Sequence, residues 1–250
     1  MTALNDTYTS TGAKFFAHQE VMEKLHNGRG QPVTCHVMCT DICNHSCAFC
    51  SVQSRVGDVL PFDDIMGFID ILKGCGLKSV ILSGGGNPIL YRLGGKNFND
   101  VVEALHDRGL EIGLITNGAP LRSYECGKRC TPRMSWRGVR PETLDRLTWV
   151  RISMSGLDHP ENEVYVPDID PTKTTLGFSY VAHDIYAEAA DPHHGKVSTR
   201  RDLLSGDRNR APTRCFEERF AELTQSIGHY VREYMPRYVR LLPNCLEPEL

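Results

Sequence analysis

No stretch of this chain approaches the roughly 18 consecutive apolar residues that a membrane-spanning helix needs, so no membrane partner is expected. Charge of one sign is not in excess either. The formal net charge is −3 and the pI is about 6.4, which leaves no global basic field to attract nucleic acid. Internal repeats and low-complexity tracts are absent, and the polar segment Met1 to Ser10 has no apolar core of the kind a secretory signal peptide carries. Ten cysteines without such a signal argue for a reducing, cytoplasmic compartment and against a disulfide framework. With 250 residues, 40% of them hydrophobic, the chain can bury a sizeable core. An α/β barrel of this length is commonly a single domain.

The most informative stretch is Cys43-Asn44-His45-Ser46-Cys47-Ala48-Phe49-Cys50, which gathers three cysteines into one short loop. Thiolates are soft ligands that favour iron–sulfur clusters, zinc or monovalent copper. An electron-transfer cluster of four irons takes four thiolates, so three leave one iron open. An open metal position is where a substrate or cofactor binds. A zinc site is the competing reading, but it normally pairs cysteines two to four residues apart and adds a second pair. Only Cys126 and Cys130 offer such a pair, and with Cys215 or Cys245 they could form an auxiliary site. The other cysteines, Cys35, Cys39 and Cys75 among them, read as small buried apolar residues.

Hydrophobic periodicity sets out the chain as a lead-in segment, 1–32, followed by one β/α domain, 33–250. A short helix is expected at 15–25 and a β-prone segment at 33–40, which delivers the cysteine loop at its C-terminal end. Pro61 opens a helix that Gly74 and Gly76 end. Strands follow at 79–82, 110–115 and 149–155, separated by helices at 100–108 and 141–147. This alternation argues for a parallel sheet. Beyond it the spacing predicts a strand at 174–181, an amphipathic helix from Phe216 to Tyr234 and a sixth strand at 238–242. No room remains for a helix to cover that last strand. An irregular insertion at about 184–214 holds His193, His194 and five arginines. Its lack of apolar period suits a lid, a binding loop or a solvated loop.

The Cys-x3-Cys-x2-Cys loop, with aromatic Phe49 before its last cysteine, resembles the signature of the radical S-adenosylmethionine (radical SAM) enzymes. That resemblance implies a partial (β/α)6 barrel of the TIM type and a 4Fe-4S cluster held by Cys43, Cys47 and Cys50. It also implies S-adenosyl-L-methionine at the open iron, an electron donor such as a flavodoxin or ferredoxin, and a 5'-deoxyadenosyl radical that abstracts hydrogen from a substrate. Ser83-Gly84-Gly85-Gly86-Asn87-Pro88 resembles the family's Gly-Gly-Glu-Pro run, which lines the amino group of SAM. Asn87 stands where the family has an acidic residue, so this chain offers a neutral acceptor there. The family's other SAM contacts correspond to Phe49, whose backbone meets adenine, and to Asn117, Ser153, Ser155 and Leu241. Each of these has a bland alternative: an Asn-Gly turn for Asn117, backbone-bonded hydroxyls for the serines and core packing for Leu241. The substrate, whether peptide, nucleotide or nucleic acid, is not written in these motifs. A non-catalytic iron–sulfur or zinc-binding protein, or an electron carrier, is the alternative function; it has no need of the glycine run.

Overall fold

The computed structural model describes residues 19–45, 47, 50–52, 54–118, 138–154, 164–182 and 216–243. After helix α1 (Gln19–His26), strands β1 (Thr34–Val37) and β2 (Ser79–Leu82) flank α2 (Phe62–Gly74). A 3-10 turn (Pro88–Leu90) and the two-residue strands β3 (Arg92–Leu93) and β4 (Lys96–Asn97) then lead into α3 (Phe98–Asp107). Next come β5 (Glu111–Thr116), α4 (Pro141–Asp145), β6 (Trp149–Ser153), β7 (Thr175–Ala182), α5 (Phe216–Tyr234) and β8 (Tyr238–Pro243).

Six strands form one parallel sheet in the order β1-β2-β5-β6-β7-β8, with β3 and β4 making a separate antiparallel pair. Spatial order thus follows chain order, as consecutive β/α units dictate. β1 and β8 remain the two edges, so the sheet is an open, partial (β/α)6 barrel and does not close. The segments 183–215 and 244–250, which hold the expected insertion and the question of a last helix, lie outside the described residues.

Side chains alternate across each strand. One face carries Val80, Leu82, Ile112, Leu114, Val150, Ile152, Phe178 and Tyr180, all buried in a core with Ile65, Met66 and Ile69 of α2 and Val101, Val102 and Leu105 of α3. From α5, Ile227 is buried in this core, while Tyr230, Val231 and Tyr234 pack on it. Full burial of each such aliphatic side chain contributes roughly 1.5–3 kcal/mol. α3 begins two residues before the expected Asp100, because Asn97 caps it and the Asn97 backbone N–H donates to the Asp100 carboxylate at 2.8 Å.

The other face is the inner one. Here Trp149 lies beside Gly113 and Tyr238 beside Gly177 in the strand register. A Cβ on either glycine would overlap the neighbouring ring, so the glycines make room for the aromatics that floor the barrel. Gly113→Ala is therefore expected to cost about 1–3 kcal/mol through overpacking, read from the urea midpoint. A change within about 0.5 kcal/mol would mean that Trp149 can swing clear.

Candidate cluster and cofactor site

β1 is shorter than the expected 33–40 segment because the chain leaves β2 after Val37, whose carbonyl accepts from Ser83 N at 3.2 Å. From there residues 39–41 pair with the returning segment 58–60. Leu60 N donates to Cys39 O (3.0 Å), Asp41 N to Asp58 O (3.0 Å), and Thr40 Oγ1 to Asp58 O (3.2 Å). Val56 N donates to Asp41 Oδ2 at 2.9 Å. These bonds make a neck, and the three cysteines sit on the loop above it.

The other side of the neck rests on the glycine run. Gly86 N donates to Thr40 O and Asn87 N to Ile42 O, both at 2.8 Å. Gly84 and Gly85 have φ of +77° and +60°, in the left-handed region where a side chain is strained. A Cβ on Gly85 would lie 2.7 Å from Thr40 O, and one on Gly86 would overlap the Ile42 carbonyl. The run is glycine because it touches the backbone that carries the cysteines. The resemblance had implied bare backbone for the ligand's sake; here the first reason is support of the loop.

Asn87 is buried, with 3% exposure, and its amide is fully engaged. Its Oδ1 accepts from Thr116 Oγ1 (2.8 Å) and caps the 3-10 turn at Ile89 N (3.4 Å). Its Nδ2 donates to Asn117 Oδ1 (2.8 Å) and Asn44 Oδ1 (3.3 Å). Asn117 Nδ2 in turn donates to Asn44 Oδ1 (2.9 Å) and reaches Cys43 Sγ at 3.8 Å. Three asparagines thus tie the cysteine loop to the exits of β2 and β5. A carboxylate at 87 has no N–H to donate to the two amide oxygens, so Asn suits this network where an acid does not. In this structure the Asn87 oxygen accepts from Thr116 and Ile89.

Cys43, Cys47 and Cys50 are partly buried thiols. Cys50 Sγ receives a bond from Arg55 Nη2 at 3.0 Å. Among the described residues no three His, Cys, Asp or Glu side chains converge as a single metal ion would need. A single zinc fits that spread poorly. A multi-iron cluster takes its thiolates on different irons, and the donor set of three soft sulfurs with hydrogen-bond donors beside two of them fits such a cluster. Of the other cysteines, Cys39 is buried, which pushes its thiol up to about 12, and burial also raises Cys35. Cys75 is exposed, contrary to the expectation of a buried residue. Cys126, Cys130, Cys215 and Cys245 lie outside the described residues, as do Phe49 and Ser155.

Gly84, Gly85, Gly86, Asn87 and Asn117 are brought together beside the cysteine loop, while Ser153 ends β6 on the inner face. Leu241 is not among them. It shares the register of Tyr180, which faces the helices, and is 54% exposed. Arg55 and Asn44 were missed in the sequence, where a basic residue five places past Cys50 and an Asn between cysteines carry no pattern of their own. The inner face also holds Arg151, with 6% exposure, its guanidinium 5.2 Å from the Trp149 ring centre. Burial, partly offset by Tyr238 and reinforced by Arg240, holds it below the usual arginine value. His36 is likewise held down by burial and then by the Arg151 charge. Among the described residues no carboxylate forms an ion pair with Arg151. A separate cavity of about 770 Å³, lined by Tyr165, Asp168, Thr175, Glu233, Tyr234 and Arg237, opens at the N-terminal ends of β7 and β8, away from the cysteines.

A parallel sheet with a three-thiol loop at the C-terminal end of β1, cradled by a glycine run, defines a class of protein, and residues 37–148 match the Radical SAM superfamily. This match marks residues 37–148, which contain both the cysteine loop and the glycine run, as a radical SAM region, and enzymes of that superfamily use a 4Fe-4S cluster and SAM. It is 32% identical over 144 residues to an S-adenosylmethionine-dependent nucleotide dehydratase of Selenomonas ruminantium, covering 58% of this chain and 46% of that protein. Against the S-adenosylmethionine-dependent nucleotide dehydratase RSAD2 of Oncorhynchus mykiss it is 25% identical over 158 residues, covering 62% and 41%. The chain spans about half the length, or less, of these curated relatives. Among solved structures, Streptococcus suis SuiB bound to S-adenosylmethionine matches with a TM-score of 0.45 and 12% identity, over 94% of this chain and 57% of that one.

Gly86→Ala is expected to fold but to lose most of its cluster, because the added Cβ pushes the Ile42 carbonyl and the loop above it. Iron and sulfide content after anaerobic reconstitution measures this. Full cluster content with weakened SAM binding alone would assign the glycine to the ligand and not to the loop.

Proposed function

We propose that this chain is a radical SAM enzyme in which Cys43, Cys47 and Cys50 hold a 4Fe-4S cluster and the ends of β2, β5 and β6 hold SAM. The observation that carries the reading is the three-thiol loop locked onto the glycine run. When bound, the cluster and SAM supply reductive cleavage of the sulfonium and a radical that takes hydrogen from the substrate. The protein's own part is positional. The neck at residues 39–41 and 58–60 fixes the loop, and the asparagine network sets its height over the strand ends. Gly84, Gly85 and Gly86 offer bare backbone beside the site, and Ser153 adds a group at the end of β6. A small electron-transfer protein, a flavodoxin or ferredoxin, is the fitting reductant.

Replacing Cys43, Cys47 or Cys50 by Ala is expected to abolish both the iron–sulfur absorbance and SAM cleavage, whereas Cys75→Ala leaves both unchanged. Cluster-bound SAM cleavage surviving in the triple variant would end this reading. Zinc without iron in the purified protein would favour the metal-binding alternative.

For the substrate we infer an anionic nucleotide. Two observations support it: the names of the two relatives, and Arg151, a buried cation on the inner face with no carboxylate partner among the described residues. Desolvating an unpaired charge costs several kcal/mol. An anion carried in by the substrate offsets that cost, and a guanidinium matches phosphate oxygens two at a time. Arg151→Met is expected to weaken nucleoside triphosphate binding about tenfold to a hundredfold, the loss of one charged hydrogen bond, while substrate-free SAM cleavage persists. Calorimetry on the reconstituted protein measures it. Equal affinity in the variant would remove Arg151 from the substrate site.

A further inference from the structure

Arg55 stands five residues beyond Cys50, on the segment that returns from the cysteine loop to α2. Its guanidinium donates to three different partners. Nη2 reaches Cys50 Sγ at 3.0 Å, Nη1 the His45 carbonyl at 3.2 Å, and Nε the Gly85 carbonyl at 3.4 Å. A planar fork with rigidly spaced donors is what such a three-way contact requires; the lysine ammonium is a single point. Among the described residues no carboxylate forms an ion pair with Arg55, so its charge is not cancelled beside the sulfur.

We propose that Arg55 is a positioning residue that clamps Cys50 between the loop and the glycine run and sets the reduction potential of the cluster through its hydrogen bond to the Cys50 sulfur. The proposal rests on the reading of Cys43, Cys47 and Cys50 as cluster ligands. Each electron that enters a thiolate-bound cluster adds negative charge to it. A cation that donates to a ligand sulfur stabilises the reduced form more than the oxidised one, which raises the potential. The neutral donor at Cys43, Asn117 Nδ2 at 3.8 Å, is longer and uncharged. The charged contact at Cys50 is the stronger of the two.

A purely structural role is the competing explanation, since the bonds to His45 and Gly85 carbonyls alone would brace the loop. The two are separated by potential, not by activity. The full chain is reconstituted anaerobically as wild type, Arg55→Lys, Arg55→Gln and Arg55→Met, and its iron content is determined. The cluster is then titrated by EPR against redox mediators without SAM. The expected order of midpoint potentials runs from wild type, the highest, through Arg55→Lys to Arg55→Gln and Arg55→Met, the most negative. In the metal-free protein, amide exchange over residues 43–58 should quicken in Arg55→Met and be partly restored in Arg55→Lys.

Should Arg55→Met fail to retain a cluster, the Lys and Gln variants decide, because both keep donors and differ in charge. Potentials equal to wild type in Arg55→Lys and Arg55→Gln, at equal iron content, would overturn the proposal and leave Arg55 a brace. Failure of the wild type itself to form an iron–sulfur cluster would instead overturn the assignment of the three cysteines.

Discussion

The site depends on one close approach: the backbone of Gly85 and Gly86 lies directly against the backbone of Thr40 to Ile42. Two 2.8 Å hydrogen bonds, from Gly86 N to Thr40 O and from Asn87 N to Ile42 O, hold the segments together where no side chain would fit. Loops are normally the mobile part of a fold. Here the neck of the cysteine loop is bonded on one side to residues 56–60 and on the other to the exit of β2. A chain of donors and acceptors runs on through Asn87, Asn117 and Asn44, so that the cysteine loop and the exits of β2 and β5 are tied to one another. Preorganisation of this kind is what a radical centre asks of its protein, since cofactor chemistry needs placement and exclusion more than reactive side chains.

The same sheet divides labour between its faces. Toward the helices it is dry and aliphatic, and this face provides the stable frame on which the glycine run is held. Toward the barrel interior it carries aromatics seated over glycines and a buried arginine, an arrangement costly in itself. Asn87 brings no charge to the mouth of the sheet, and its side chain joins the network between the cysteine loop and the exits of β2 and β5. The hydrogen bonds gained by the asparagine stiffen the loop instead. Arg55 adds a positive charge from the opposite side, against the sulfur of Cys50.

Much of the fold was legible because β/α alternation writes itself in periodicity: the strands at 79–82, 111–116 and 175–182 and the helix Phe216–Tyr234 sit where apolar spacing put them. The β3–β4 hairpin was not read, as two-residue strands leave no period, although Gly94-Gly95 is a turn signal. β1 ended early for a tertiary reason, the switch of partner from β2 to residues 58–60. In the site, the cysteines and the glycine run were visible as spacing. The asparagine network and Arg55 were not, because they join residues up to 74 apart in the chain or depend on where one side chain folds back. For Leu241, alternation fixes which residues share its face but not which face looks inward.

Mössbauer spectroscopy of the protein reconstituted with iron-57, with and without SAM, tests the central claim most directly. Three loop thiolates for four irons predict that SAM alters the signal of one iron site in four and leaves the others in place. Four irons indifferent to SAM, or a protein that holds no iron–sulfur cluster, would contradict the account.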